Sequence, residues 1–495
     1  MKKILVRADS SKEIGTGHIT RTLVLAKELK KNGFDVIYLV KNLPGNINFK
    51  IKKAGFKKIE LKSKDKYSEI KEVKSIIKEQ NASFIVFDHY GIDEDYEREI
   101  KNSGVMIFSF DDLYKKHYCD ILLNQNIYAK KEDYKGLVPK ECSLLCGIEF
   151  ALIRDEFKRI KDIKKSESNK KNLRILVTLG GADPENVTFE VIKALDEVED
   201  VFFEADIVVG AANKHLKQLQ DFAKNSEKGF NIIVDAKNMA ELMNRSDIGI
   251  ISCGTTSIEV LYMKLPFIAL RLADNQKKIF EYLTKNGYAI GAKNCKNEIK
   301  NAFVTLANDE ETRKFLIEKM KNLSIGRVDK VTKTIICKIY EDFYIRKAEK
   351  QDIKIIFDIS NDEEVRRNSF NSEKIVFDNH QKWFLNKLKD RNTLFLVAQK
   401  DDEVFAQVRF EKDNEGYIIS ISLSSKVRGC GLGVKILEKS LEYFKEKIGN
   451  EEIYAYIKRE NISSIKIFEK IGFRKEKETL YKNIPTYIFK RSKDD

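Results

Sequence analysis

No two of the seven cysteines (Cys119, Cys142, Cys146, Cys253, Cys295, Cys337, Cys430) stand at CxxC spacing, so neither a zinc site nor a dithiol redox motif is written in the chain. Their odd number and wide scatter favour buried or partly buried free thiols in a reducing compartment. Long apolar runs are also missing. The N-terminal run stops at Arg7 and Asp9, too short for the core of a signal peptide, and no later stretch approaches a membrane span. A cytoplasmic protein with no membrane partner is expected. A concentrated basic stripe is lacking too. The 91 Lys+Arg exceed the 77 Asp+Glu by only 14, and the two signs interleave, as where Asp309-Glu310-Glu311 is followed by Arg313 and Lys314. That pattern reads as a solvated surface and argues against nucleic acid, while leaving room for an anionic small molecule. The single tryptophan, Trp383, reads as a core residue.

With 495 residues the chain has room for about three domains, and 42% hydrophobic against 34% charged residues suits folded domains. Residues 3–7 form a short apolar run. Ile19, Leu23, Ala26 and Leu29 follow at helical spacing, Gly33 stops the helix, and 35–40 reads as the next strand. Strand-like runs recur at 83–87, 105–110 and 121–123. A polar, Lys-rich stretch at 161–172 reads as a linker. Beyond it the alternation restarts, with strands at 173–179, 202–209 and 248–251 and a helix at 187–195. Such alternation predicts α/β domains with parallel sheets covered on both faces. From about residue 345 the runs 395–399, 404–410 and 417–423 follow one another across short polar turns, which predicts antiparallel pairing and an α+β domain. The expected division is 1–160, 173–340 and 345–495.

Four stretches carry candidate chemistry. Gly15-Thr16-Gly17-His18 lies between the first strand and the first helix, where glycines admit a ligand and a helix start offers free N–H groups. His18 there is a candidate catalytic base, with His89 as its competitor. In the second domain Gly180 and Gly181 follow a strand. Gly254-Thr255-Thr256 opens a helix, suiting a pyrophosphate or ordinary capping, and Glu259 is placed to accept from ribose hydroxyls. In the last domain Val427-Arg428-Gly429-Cys430-Gly431-Leu432-Gly433 joins a strand to a helix whose apolar face is Val434, Leu437, Leu441, Phe444 and Ile448, a nest for a diphosphate. Asp111-Asp112 reads as turn or cap residues, so no metal is expected. His117 and His215 read as surface residues.

Six separated stretches agree in order with one family: Arg7-Ala8-Asp9-Ser10-Ser11, Gly15-Thr16-Gly17-His18, Asp88-His89-Tyr90-Gly91, Asp111-Asp112, Leu122-Leu123-Asn124-Gln125-Asn126 and Asp274-Asn275-Gln276. From Met1 to about Tyr340 the chain resembles the UDP-2,4-diacetamido-2,4,6-trideoxy-β-L-altropyranose hydrolases of pseudaminic acid biosynthesis. The resemblance implies two Rossmann-like domains in the glycosyltransferase-B arrangement. It further implies UDP held mainly by the second domain, and water attacking the anomeric carbon with inversion. His18 takes the catalytic role and Tyr90 assists; Gly15, Gly17, Arg21, Gly180, Gly181, Thr255, Thr256, Glu259, Asn275 and Gln276 bind the UDP-sugar.

From about Ile345 the Arg428-Gly429-Cys430-Gly431-Leu432-Gly433 turn, Asn461-Ile462-Ser463-Ser464 and Phe468-Glu469-Lys470-Ile471-Gly472-Phe473 resemble the GNAT superfamily of N-acetyltransferases. The resemblance implies acetyl-CoA as co-substrate, contacted by Val427, Arg428, Gly429, Gly431, Gly433 and Asn461. Phe468 stands where many relatives carry a proton-donating tyrosine, leaving that role to water, Ser464 or another tyrosine. Arg366, near the domain start, reads either as a phosphate contact or as a surface arginine. Together the two resemblances imply a bifunctional enzyme: it acetylates the 4-amino group of a UDP-sugar and hydrolyses the diacetamido product to UDP and free sugar. The alternative is a glycosyltransferase with a regulatory acyl-CoA-binding domain.

Overall fold

A computed structural model describes residues 2–160, 172–180, 183–211 and 213–493. The linker expected at 161–172 lies outside the described residues apart from Asn172, as does Gly181. The chain forms two compact units, Met1–Thr332 and Lys333–Asp495.

The first unit holds two parallel sheets. Strands β1 (Lys3–Ala8), β2 (Asp35–Val40), β3 (Lys57–Glu60), β4 (Phe84–Asp88), β5 (Met106–Phe110), β6 (Ile121–Asn124) and β7 (Ser143–Cys146) pair in the order β3-β2-β1-β4-β5-β6-β7. Strands β8 (Leu173–Thr178), β9 (Phe203–Val209), β10 (Gly229–Val234), β11 (Ile248–Ser252), β12 (Phe267–Leu270) and β13 (Ile290–Ala292) pair as β10-β9-β8-β11-β12-β13. The central strands, such as Phe84–Asp88 and Ile248–Ser252, are buried along their whole length, because helices cover both faces of a parallel sheet. In both sheets the strand order reverses beside the first strand, between β1 and β4 and between β8 and β11. Open α/β sheets bind ligands at this point, outside the carboxyl ends of the strands. Ile148, Ala151, Ile153 and Phe157 belong to the second core although they precede its sheet in sequence. The amides of Gly326 and Arg327 return to the carbonyls of Ile148 and Glu149, at 3.4 and 2.8 Å.

The second unit carries one mixed sheet. Strands β14 (Tyr344–Lys347), β15 (Thr393–Lys400), β16 (Glu403–Lys412), β17 (Tyr417–Leu423), β18 (Ile453–Lys458), β19 (Arg474–Tyr481) and β20 (Ile484–Arg491) pair as β14-β15-β16-β17-β18-β20-β19. Most neighbours are antiparallel; β17 and β18 are parallel and pair only at Tyr417–Ile453 and Ile418–Tyr454 before separating. Trp383 is partly buried against the cluster of Ile356, Phe384, Phe395 and Val397, with the Arg409 guanidinium 5.0 Å from its ring.

The cysteines depart from the expected set of free thiols. Cys337 and Cys430, 93 residues apart, form a disulfide within the second unit, and Cys295 is exposed. Sequence spacing has no bearing on this pair, since the fold alone brings the two residues together.

Candidate functional site

β1 ends at Ala8, and the chain folds over Ser11, whose hydroxyl accepts the amides of Glu13 and Ile14 at 3.1 and 3.0 Å. Gly15 follows with φ +81°, a conformation that costs glycine little. The helix Gly17–Lys31 then starts with no side-chain cap, and a Cβ at Gly15 or Gly17 would meet open space. His18 occupies the first helical turn and is only 5% exposed.

What holds the imidazole is the end of the neighbouring strand. Asp88, the last residue of β4 and fully buried, has Oδ1 2.5 Å from His18 Nδ1. Arg21, one helical turn after His18, grips the same carboxylate with Nε at 2.7 Å and Nη2 at 2.6 Å, and reaches Asp112 with Nη1 at 2.9 Å. Burial alone would raise the Asp88 pKa; the charges of Arg21 and His18 outweigh it and hold Asp88 well below the ordinary carboxylate range. A carboxylate that accepts from Nδ1–H selects the tautomer whose lone pair sits on Nε2, which is the arrangement a general base requires. Tyr90 packs edge-on to His18 at 4.8 Å, its hydroxyl 3.4 Å from Asp112 Oδ2. Burial, followed by the Asp112 charge, pushes the Tyr90 phenol up to about 12, so it is protonated at neutral pH.

The competing base is committed elsewhere. His89 Nδ1 accepts the Gly91 amide at 2.9 Å, and Nε2 faces Asp9 at 3.4 Å. Neither nitrogen keeps a lone pair for a substrate.

Asp88 thus fixes the orientation of the His18 ring. Replacing Asp88 with Asn, which donates rather than accepts toward Nδ1, favours the wrong tautomer. The expected result is a fall in kcat of roughly 10²–10⁴-fold with KM little changed. Steady-state kinetics with pH profiles check this; a fall with an unshifted profile and raised KM would indicate a merely structural role.

Asp111 takes the turn role: its carboxylate accepts the Leu113 and Tyr114 amides at 2.9 and 2.7 Å and the Tyr134 hydroxyl at 2.6 Å. His117 is not a surface residue. It is buried, with Nδ1 2.8 Å from Glu97 and Nε2 3.8 Å from Asp111. Burial would lower its pKa, but Asp111 and Glu97 raise it to about 9. A folded pKa above the unfolded value near 6.5 stabilises fully below pH ~6.5 and is lost as pH rises through about 9, by up to ~3 kcal/mol. Thermal melts should therefore show the first unit weakening between pH 6.5 and 9, a slope that His117→Gln removes; an unchanged slope would contradict the assignment. His215 is partly exposed, as expected.

In the second sheet, Gly180 follows β8 with φ +99° and open space at its Cβ. Asp183 caps the next helix by accepting the Val187 and Thr188 amides at 3.0 and 2.8 Å, so a carboxylate already occupies that helix start. The helix Thr255–Met263 behaves differently. Gly254 is its N-cap, neither Thr255 nor Thr256 caps it, and its first amides are open to an anion. Glu259, one turn on, receives Arg154 through Nε at 2.8 Å and Nη2 at 3.0 Å. Burial, its largest influence, raises the Glu259 pKa against that pairing. Asn275 is exposed, whereas Gln276 turns inward and accepts the Leu272 amide at 2.9 Å. A cavity of about 660 Å³ is lined by Tyr114 and Tyr128, two residues past Asp112 and Asn126, and by Lys278 and Tyr282 of the helix Lys277–Lys285. Sequence reading named none of the four.

In the second unit the turn after β17 places Gly429 and Gly431 at φ +77° and +71° on either side of Cys430. The helix Leu432–Lys447 follows with no side-chain cap. Val427 is buried, its carbonyl accepting the Cys430 amide at 3.2 Å. Arg428 is bound to Asp362 through two bonds, 2.5 and 2.7 Å, so its guanidinium braces the loop. Gly433 serves packing: a Cβ there would stand 3.0 Å from Ile467. Asn461 caps the helix Ile462–Lys470, accepting the Ser464 amide at 3.2 Å. Phe468 is buried against Phe473, with ring centroids 5.0 Å apart. Arg366 is neither free nor simply exposed; it binds the carbonyls of Ser360, Asn371 and Glu373. β17 and β18 part after Ile418, so Ile419–Leu423 form no ladder with β18.

Against known proteins, one match decides the family. The chain is 38% identical over 289 residues to the UDP-2,4-diacetamido-2,4,6-trideoxy-beta-L-altropyranose hydrolase of Campylobacter jejuni, covering 58% of this chain and 98% of that one. The chain belongs to this hydrolase family. It is also 27% identical over 501 residues to an uncharacterized protein of Methanocaldococcus jannaschii, covering 96% and 97% of the two chains. The hydrolase-family unit has the fold of MurG from Acinetobacter baumannii (TM-score 0.50, 14% identity, 68% of this chain and 99% of that one). Residues 355–473 match the Acetyltransferase (GNAT) family, and residues 151–356 match Lipid-A-disaccharide synthetase. The protein is therefore an enzyme with a hydrolase-family portion and a GNAT acetyltransferase domain. Among the described residues no helix is long and apolar enough to cross a membrane.

Proposed function

We propose that the hydrolase-family portion cleaves UDP-2,4-diacetamido-2,4,6-trideoxy-β-L-altropyranose to UDP and free sugar, as its relative is named for doing. The observation that carries the reading is the His18–Asp88–Arg21 chain at the reversal point of the first sheet. In this reading His18 Nε2 takes a proton from water, the water oxygen bonds to the anomeric carbon, and the bond from that carbon to the phosphate oxygen breaks. UDP departs with the electron pair. The protonated Tyr90 donates toward the sugar, while Gly15, Gly17 and Arg21 shape and brace its pocket. The amides at Thr255 and Thr256 receive the diphosphate together with Gly180 and Gly181, and Glu259, Asn275 and Gln276 bind the nucleoside and sugar.

The GNAT domain transfers an acetyl group from acetyl-CoA to the 4-amino group of the precursor UDP-sugar, supplying the hydrolase's substrate in pseudaminic acid biosynthesis. The Val427–Gly433 turn takes the diphosphate of the co-substrate, Asn461 lies beside it, and the stretch where β17 and β18 part gives the pantetheine amides backbone partners. The neutral amine attacks the thioester carbon and CoA leaves as the thiolate, which gains its proton from a group other than buried Phe468.

A second reading, a glycosyltransferase with a regulatory acyl-CoA-binding domain, draws on the MurG-like fold and on Phe468. Incubation of the full chain with the 4-amino UDP-sugar, with and without acetyl-CoA, separates the two. Acetyl-CoA-dependent formation of UDP and diacetamido sugar supports the first; no acetyl transfer, and UDP release only with an added acceptor, supports the second.

A further inference from the structure

The disulfide between Cys337 and Cys430 joins the middle of the expected co-substrate turn to the helix Val328–Ile339. Nothing in the hydrolytic or acetyl-transfer chemistry uses it. Cys430 lies between two glycines in the left-handed region, so the backbone on both sides has the widest conformational freedom available to a chain. Packing does little to confine this segment: a Cβ at Gly431 would meet nothing within 4 Å, and one at Gly429 only the Lys333 side chain at 3.7 Å. On the upstream side the turn is held by Arg428 on Asp362 and by Lys333 Nζ on the Lys426 carbonyl at 3.1 Å. At its centre the restraints are the Cys430 amide's bond to Val427 and the covalent tie to Cys337. Both cysteines are half-buried, within reach of a small thiol or disulfide.

We infer that Cys337–Cys430 is a thiol–disulfide modification site that sets the affinity of the GNAT domain for acetyl-CoA, the oxidised pair holding the turn ready and the reduced pair releasing it. The inference rests on the acetyl-CoA reading of this turn. In the reducing direction a thiolate of a small dithiol attacks one sulfur of the pair and forms a mixed disulfide. Its second thiolate resolves that bond, leaving two cysteine thiols and an oxidised, cyclic dithiol. In the reverse direction a low-molecular-weight disulfide accepts the two electrons and is released as two thiols. Reduction leaves the flanking glycines free, so binding must then also order the turn, and affinity falls. The other close pair, Cys119 and Cys142, has its sulfurs 3.7 Å apart, not joined by a disulfide, and belongs to the first unit.

The test uses the full chain, oxidised with glutathione disulfide or reduced with dithiothreitol and then desalted, its thiol state read by intact mass. Acetyl-CoA, which has no free thiol, is titrated calorimetrically into both forms. Oxidised protein should bind about fivefold or more tightly than reduced protein. Cys337→Ser, which leaves the turn's own residues unchanged, should show the weaker affinity under both treatments, with UDP release unaltered in every sample. Equal affinity of verified oxidised and reduced wild-type protein would overturn the inference while leaving the acetyl-CoA reading intact. So would a Cys337→Ser variant that still responds to the treatments, or a pair that glutathione disulfide leaves reduced. Failure of both forms to bind acetyl-CoA would overturn the reading and the inference together.

Discussion

His18→Ala should reduce UDP release from the diacetamido UDP-sugar by roughly 10³-fold or more while acetyl transfer continues at the wild-type rate. The imidazole has its Nδ1 anchored on a buried carboxylate that is itself fixed by two bonds from Arg21. His89 has no nitrogen to spare, so it cannot substitute. The first helix should survive, because alanine suits its opening turn and the Gly15 conformation is independent of the side chain. Separate assays for UDP and for CoA on one preparation give both numbers. Undiminished hydrolysis would remove His18 from the chemistry; loss of both activities would point to a folding defect.

The converse loss is expected of Gly431→Trp. At φ +71° any L-residue is strained, and the open space at this position is where the proposed diphosphate would lie. An indole there blocks the turn as well as distorting it. Acetyl transfer should fall below detection while UDP release from the pre-acetylated substrate stays within twofold of wild type. Acetyl transfer at the wild-type rate would place the co-substrate elsewhere. As a pair the two variants also test whether the activities are separable: each should abolish one and spare the other.

Most of the architecture was legible where burial makes strands apolar from end to end, as in Phe84–Asp88 and Ile248–Ser252. It was not legible at sheet edges. Lys57–Glu60 and Arg474–Tyr481 face solvent for much of their length, carry charges, and have no hydrophobic period to read. The site divides in the same way. His18 announced itself through a local feature, the glycine turn before a helix. Asp88 stood in view inside a recognised stretch but without a role, since its partner is 70 residues away and the two meet only because β1 and β4 are neighbours. Arg154 on Glu259 and Cys337 on Cys430 escaped notice for the same reason, at separations of 105 and 93 residues. Some expected ligand contacts also have structural duties: Arg428 braces its turn against Asp362, and Gly433 makes room for Ile467. Residues read from a motif carry a position in the fold; which of them remain free to meet a ligand is decided by neighbours distant in sequence.

The account turns on water, activated by His18, attacking the anomeric carbon. Turnover of the diacetamido UDP-sugar by the full chain in ¹⁸O-enriched water, without any acceptor, tests that step directly. UDP and free sugar should appear in equal amounts, with the label in the sugar's anomeric hydroxyl and none in the UDP phosphates. Label in UDP would mean attack at phosphorus, and no UDP without an added acceptor would mean transfer rather than hydrolysis; either result contradicts the mechanism.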